Sequence, residues 1–196
     1  SPTIARTHVG FMGCHGALNG LRIADALVRA DPASQVLLCA VELCSLHFQY
    51  DPDPGQAVAN ALFADGAAAA IVNLPGSRSA IQPALRLGAF GSCLVPDSTR
   101  DMTWTIGDHG FQMALSPRVP DLLRAHLRPW ITEWLASHDL ALSGIRSWAI
   151  HPGGPRILDA VSGSLALPSN ALATSRAVLA QHGNMSSPTV LFILDQ

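Results

Sequence analysis

The chain has 196 residues, 48% of them hydrophobic and 13% charged, with a formal net charge of −2 and a mean hydropathy of +0.27. That length leaves room for one substantial core, and the near-neutral balance, with arginine supplying all 12 basic residues, removes the electrostatic case for nucleic-acid binding. No apolar run reaches the roughly 20 residues that a membrane span needs, and the apolar excess predicts a large buried interface.

A largely β-branched and apolar run, Ile4 to Phe11, predicts a strand leading into Gly10-Phe11-Met12-Gly13-Cys14-His15-Gly16. Leu18, Leu21, Ile23, Ala24, Leu27 and Val28 follow at helical spacing and predict a helix to Ala30, stopped by Asp31-Pro32. Cys14 then falls at the first turn, where free N–H groups and the helix dipole favour a thiolate. Taken alone, a cysteine there is more often a small buried apolar residue. Val36 to Leu43 is nearly continuous in apolar residues and predicts a strand buried on both faces. Glu42 to Gln49, just past it, is a polar and aromatic mixture at the kind of strand end where ligand contacts gather.

Asp51 to Gly55 predicts a loop, Gln56 to Phe63 a short helix and Ala67 to Val72 a small-residue strand. Leu74 to Ser77 predicts a turn, Ala80 to Phe90 a strand, and 91–110, holding Trp104 and His109, a loop. Phe111 to Leu115 alternates as a strand. Asp121 is expected to cap a helix to about His138, kinked or split by Pro129. Ile145 to Ile150 predicts a strand, Arg156 to Leu165 a helix, and Ser169 to His182 another. Thr189 to Leu194 fits either a strand or a buried helix. Strands alternating with helices predict an α/β layered fold.

Cys14, His151 and Asn184 each stand in a glycine-bearing turn at the end of an apolar element. A cysteine nucleophile needs a base or ion-pair partner, which imidazole supplies. An asparagine N–H can stabilise a carbonyl oxygen that becomes negative. Singly, His151 also reads as a core histidine bonded to a carbonyl, and Asn184 as a helix terminator after Gly183. The four cysteines (Cys14, Cys39, Cys44, Cys93) have neither paired zinc spacing nor disulfide density, which predicts a reducing, cytoplasmic setting.

The wording of these turns adds more. Gly13-Cys14, Phe63-Ala64-Asp65-Gly66-Ala67-Ala68, His151-Pro152-Gly153-Gly154-Pro155-Arg156-Ile157-Leu158 and Gly183-Asn184-Met185-Ser186-Ser187 resemble the type III polyketide synthases, the chalcone synthase family. The separations, 137 residues from Cys14 to His151 and 33 on to Asn184, are also similar to the family's. The resemblance implies a thiolase-like layered α-β-α-β-α fold, here incomplete. Residues 1–76 would be the end of the N-terminal half, carrying the nucleophile. Residues 77–196 would be the C-terminal half, carrying His151 and Asn184 but lacking its last segment. A start at Ser1 without an initiator Met fits a piece of a longer chain.

The activity implied is acyl transfer. A Cys14 thiolate, paired with protonated His151, would take an acyl group from a starter acyl-CoA, and malonyl-CoA would lose CO₂ to give an enolate held by His151 and Asn184. No metal or redox cofactor is implied, and a homodimer is. Phe63, Cys44, His47, Met113 and Ser186 would shape the substrate pocket, with Gly153 and Gly154 letting coenzyme A approach the backbone. Glu42 to Gln49 resembles bacterial members of the family, including alkylresorcinol, alkylpyrone and tetrahydroxynaphthalene synthases. Met113, where an aromatic is usual, predicts a long-chain starter and alkylpyrone or alkylresorcinol products, with a naphthalene-type product from malonyl-CoA alone as the competing reading. A ketoacyl-ACP synthase III has a similar trio, but its histidine is usually followed by Gln-Ala-Asn. A papain-like protease would want a disulfide-bearing chain and a Cys-Gly-Ser-Cys-Trp neighbourhood. The non-enzymatic alternative is an inactive remnant or assembly domain.

Overall fold

The structure is a computed structural model that describes residues 2–50, 54–75, 85–108 and 110–196. Met12 leads into a single 3₁₀ turn, Gly13–His15, that runs straight on into α1 (Gly16–Ala30). Ala17, Gly20, Leu21, Ala24 and Val28 recur at helical spacing and form the buried stripe of α1. The helix ends where Asp31 N–H reaches the Leu27 carbonyl, just ahead of Pro32. β1 (Val36–Glu42) pairs antiparallel with β2 (Gly66–Val72), Leu37 opposite Ile71 and Glu42 opposite Gly66. Between them lie a 3₁₀ turn, Cys44–His47, and α2 (Pro54–Leu62). A second antiparallel pair, β3 (Met102–Gly107) and β4 (Gly110–Leu115), sets Trp104 opposite Met113. The elements that follow include the helices α3 (Val119–Ala136), α4 (Pro155–Leu165), α5 (Ala173–His182) and α6 (Pro188–Leu194).

Side-chain alternation gives the β1–β2 pair two unlike faces. On the inner face Leu38, Ala40, Ala68 and Val72 pack with Ala17 and Leu21 of α1 and Val190 and Leu191 of α6. On the outer face Leu37, Val41 and Ile71 are 60%, 62% and 58% exposed. A second cluster joins α3 to α4 through Leu127, Ile131, Leu158, Val161 and Leu165. Each such side chain contributes roughly 1.5–3 kcal/mol by leaving water. A third, Val178, Met185 and Ile193, locks α5 against α6.

Several sequence expectations need correction. Residues 4–10, 85–90 and 145–150 form no strand. Apolar β-type runs become strands only where another strand completes their hydrogen-bond ladder, and among the described residues none does so for these three. The 91–110 stretch is not all loop, because Met102–Gly107 forms β3 against β4. β1 is not buried on both faces, as its outer residues show. Helix α3 starts two residues before Asp121, with Arg118 at the N-cap, so Asp121 is no cap; it pairs with Arg124 at 2.6 Å instead. Pro129 lies inside α3 without splitting it. Residues 169–172 are turn, so α5 begins at Ala173; of the two readings open for 189–194, the helix is the one formed. The start of the predicted 51–55 loop, the end of the predicted turn at Leu74 to Ser77, the first residues of the predicted 80–90 strand and His109 fall outside the described residues. Among the described residues no helix is long and apolar enough to cross a membrane.

Candidate active site

Cys14 sits in the 3₁₀ turn at the head of α1, reached through Gly13 at φ +54, a conformation that favours glycine. Its Sγ donates to Asn184 Oδ1 at 3.9 Å across 170 residues of sequence. The Ser186 hydroxyl also hydrogen-bonds the sulfur. Burial pushes the thiol above its usual pKa, the nearby Glu42 charge adds to that, and the Ser186 and Asn184 hydrogen bonds pull against both. A helix start alone predicts a lowered thiol; here desolvation outweighs it.

Asn184 reaches the sulfur because its backbone is stitched to the chain after α2. Asn184 N–H donates to the Leu62 carbonyl and Ala64 N–H donates to the Asn184 carbonyl, both at 2.9 Å. Phe63 and Asn184 thereby form a parallel bridge. Gly183 permits that approach: it closes α5 at φ +71, and an added Cβ would stand 3.0 Å from Ala64 Cβ. The Asn184 side chain is buried, and its Oδ1 accepts Ser186 N–H at 2.9 Å. That backbone donor fixes which amide atom meets the thiol. Ser186 holds φ +58, a left-handed conformation unusual for serine.

His151 precedes α4. Both ring nitrogens are buried and neither has a hydrogen-bond partner among the described residues, so no bond joins it to Cys14 or Asn184. Burial drops its pKa to about 4. Burial thus favours the neutral imidazole, and at Cys14 it outweighs the Ser186 and Asn184 hydrogen bonds, so this arrangement does not by itself hold the expected imidazolium–thiolate pair.

A cavity of about 1710 Å³ lies beside these groups. Phe63, Cys44, His47, Met113 and Ser186, the five residues expected to shape a pocket, all line it, together with Gly13. Cys14, His151 and Asn184 are not in its lining, nor are Gly153 and Gly154. Gly154 instead opens α4 against Leu62. The turn bearing Cys44 and His47 is held at both ends. Asp65 accepts Ser45 N–H at 2.7 Å and Ser45 Oγ–H at 2.6 Å, and His47 Nδ1 accepts Phe111 N–H at 3.2 Å. Burial first, then Glu42, Asp65 and Cys14, raise the Cys44 pKa to about 11.

Two contributors escape a reading of the sequence. Trp104 lines the cavity and meets Phe63 and Phe111 edge-on, at centroid distances of 5.7 and 6.1 Å. The alternation of Met102, Trp104 and Ile106 was the available signal. Glu42 accepts a hydrogen bond from Ser187 Oγ at 2.6 Å, and nothing local in the sequence marks that pairing.

Residues 1–75 match the chalcone and stilbene synthase N-terminal domain, and residues 88–196 the C-terminal domain. The chain is 35% identical over its whole length to an alpha-pyrone synthesis polyketide synthase-like protein, Pks18, of Mycobacterium tuberculosis, covering 50% of it. It is 40% identical over 98% of its length to 1,3,6,8-tetrahydroxynaphthalene synthase of Streptomyces peucetius, covering 51% of that protein. The chain spans about half the length of the curated relatives it matches. Among solved structures, PKS-I of the brown alga Ectocarpus siliculosus superposes with a TM-score of 0.94 at 33% identity, over all of this chain and 52% of that one. Tetrahydroxynaphthalene synthase of Streptomyces coelicolor superposes with a TM-score of 0.84 at 34% identity, over 93% and 51%. With both domain families matched in order and the fold shared, this chain belongs to the chalcone and stilbene synthase family and has its thiolase-like α/β fold.

Proposed function

We propose that this chain carries the reacting centre of a type III polyketide synthase, with residues 1–76 supplying the nucleophile and residues 77–196 its partners. The observation that carries the reading is the meeting of the Cys14 sulfur with the Asn184 amide, 170 residues apart, beside a large cavity. Cys14 attacks the thioester carbonyl of a starter acyl-CoA; the S–C bond forms and coenzyme A leaves as its thiol. A neutral His151, which has a free lone pair, takes the cysteine proton as base. Malonyl-CoA then loses CO₂, and His151 with Asn184 stabilises the enolate oxygen. The enolate carbon attacks the Cys14 thioester, the sulfur is released, and the lengthened chain is carried on coenzyme A for another round. Phe63, which lines the cavity and bridges Asn184, excludes water from the enolate. The scheme calls on no metal or redox cofactor. Gly153 and Gly154 are assigned to the coenzyme A approach.

The starter is read as a long-chain acyl-CoA giving alkylpyrone or alkylresorcinol products. The unbranched Met113 on the cavity wall supports this, as does the similarity to a protein named for alpha-pyrone synthesis. The second reading, malonyl-CoA as both starter and extender, draws on the 40% identical tetrahydroxynaphthalene synthase. A homodimer is part of the proposal, and the exposed apolar outer face of β1–β2 is consistent with assembly. Incubation with octanoyl- to palmitoyl-CoA and peptide mass spectrometry tests the central step: an acyl adduct on Cys14 is expected, and its absence with every thioester would leave the inactive-remnant reading standing. Products from malonyl-CoA alone, with none from long-chain starters, would select the second reading.

A further inference from the structure

We propose that Glu42 is a positioning residue: its hydrogen bond from Ser187 holds the 184–187 turn against the end of β1 and so keeps Asn184 and Ser186 on the Cys14 sulfur. The proposal rests on the reading of Cys14 as the acyl-carrying nucleophile. Glu42 is the last residue of β1 and shares the inner face with Leu38 and Ala40. Its register partner on β2 is Gly66, which has no side chain to cover it. The carboxylate accepts Ser187 Oγ–H at 2.6 Å, a short bond to a charged acceptor across 145 residues of sequence.

The serine's position makes this use of its hydroxyl informative. Ser187 is the N-cap of α6, where a serine oxygen ordinarily accepts from the helix's own N–H groups, yet it makes no such cap bond. Its hydroxyl goes to Glu42 instead. One residue earlier, Ser186 is held in a left-handed conformation that serine adopts only when its surroundings impose it. The turn is thus clamped on both sides, by Asn184 Oδ1 on Ser186 N–H and by Glu42 on Ser187. Both Cys14 hydrogen-bond partners lie on this clamped segment. The Glu42 charge has a second, separable effect: it lifts the thiols of Cys14 and Cys44. Asp65 acts on Cys44 but is not among the groups that shift Cys14.

The full chain bearing Ser187→Ala, Glu42→Gln or Glu42→Ala tests this by two readouts. One is the pH dependence of iodoacetamide labelling at Cys14, located by peptide mass spectrometry, which needs no turnover. The other is kcat and KM for condensation. Ser187→Ala is expected to lower kcat about tenfold with KM within about twofold, because the turn is released while binding surfaces remain. It should also displace the Cys14 titration. Glu42→Gln keeps an acceptor for Ser187, so kcat should stay within about threefold while the Cys14 titration moves to lower pH. Glu42→Ala should show both effects. Wild-type kcat and an unchanged titration in Ser187→Ala would overturn the proposal, as would Glu42→Gln being as damaging to kcat as Glu42→Ala. If wild type forms no acyl adduct on Cys14, the functional reading fails by itself. The labelling titration of Ser187→Ala still decides the clamp: a displacement supports it and no displacement overturns it. Should Ser187→Ala fail to fold, judged by circular dichroism, the two Glu42 variants decide the question.

Discussion

Two cysteines stand in 3₁₀ turns among the described residues, and their surroundings differ in kind. Cys14 lies within a turn that continues into the 15-residue α1, and its sulfur meets neutral hydrogen-bonding groups brought from residues 184 and 186. Cys44 heads a turn that passes into extended chain at Phe48, and its thiol faces the carboxylates of Glu42 and Asp65. Both are half-buried, and burial raises both. Only Cys14 has side-chain hydrogen bonds pulling the other way; at Cys44 the sole opposing group is its own backbone N–H. A cysteine at a glycine turn is thus not yet a nucleophile. What separates the two sulfurs is the segment that tertiary folding lays over one of them.

The bluntest way to break the contrast is to remove each sulfur in turn. Cys14→Ser should abolish the acyl adduct and lower condensation by about a thousandfold or more, whereas Cys44→Ser should keep the adduct; adduct mass and product yield check both. If the adduct instead followed Cys44, the contrast would be reversed.

Removing the partner comes next. Asn184→Ala takes away the oxygen that accepts both Cys14 S–H and Ser186 N–H. Condensation should fall about a hundredfold. Leaving a buried N–H unpaired should also cost about 1–3 kcal/mol of stability, read from urea unfolding. Retention of both would mean that the 3.9 Å contact is incidental.

His151 sharpens the comparison through pH. Its folded pKa of about 4 lies below the ordinary histidine value of 6.5. Between these values the unfolded chain binds a proton that the folded chain does not, so the native state loses stability as pH falls from 6.5 toward 4 and has its full stability above 6.5. The loss approaches roughly 3 kcal/mol from this group. Urea midpoints of wild type and His151→Gln at pH 7, 6 and 5 should diverge accordingly, with the variant showing the flatter profile. Parallel profiles would remove the buried neutral imidazole from the account.

The smallest expected effect isolates Cys44. Asp65→Asn removes one of the carboxylates that raise its thiol, so its labelling by iodoacetamide should titrate about half a pH unit lower, with Cys14 unmoved. An equal shift at Cys14 would show that the two sulfurs share one field.

Much of this was legible in the residues. Helical spacing from Leu18 to Val28, alternation from Phe111 to Leu115 and the helical run from Arg156 to Leu165 mark elements whose period is a local property. The glycine turns around Cys14, His151 and Asn184 likewise stand out in the chain. Strands were less legible, because a strand is completed by a partner: 145–150 has the composition but no ladder, while Met102–Gly107 has the ladder and its alternation is masked by the turn residues that flank it. Residues 189–194 form a helix because Val190, Leu191 and Ile193 bury against α1, β1–β2 and α5, which a short apolar run cannot announce.

The sequence by itself determined which chemical groups stand at the three turns, and with them the family. Only the tertiary structure decided what those groups do to one another. It set Asn184 and Ser186 on the Cys14 sulfur, Glu42 on Ser187, and His151 where both its ring nitrogens are without partners among the described residues. The physical reason is that a local turn sets backbone dipoles within one helical turn. Desolvation and long-range hydrogen bonds depend on what packs there from elsewhere in the chain, and at Cys14 and His151 those terms decide protonation.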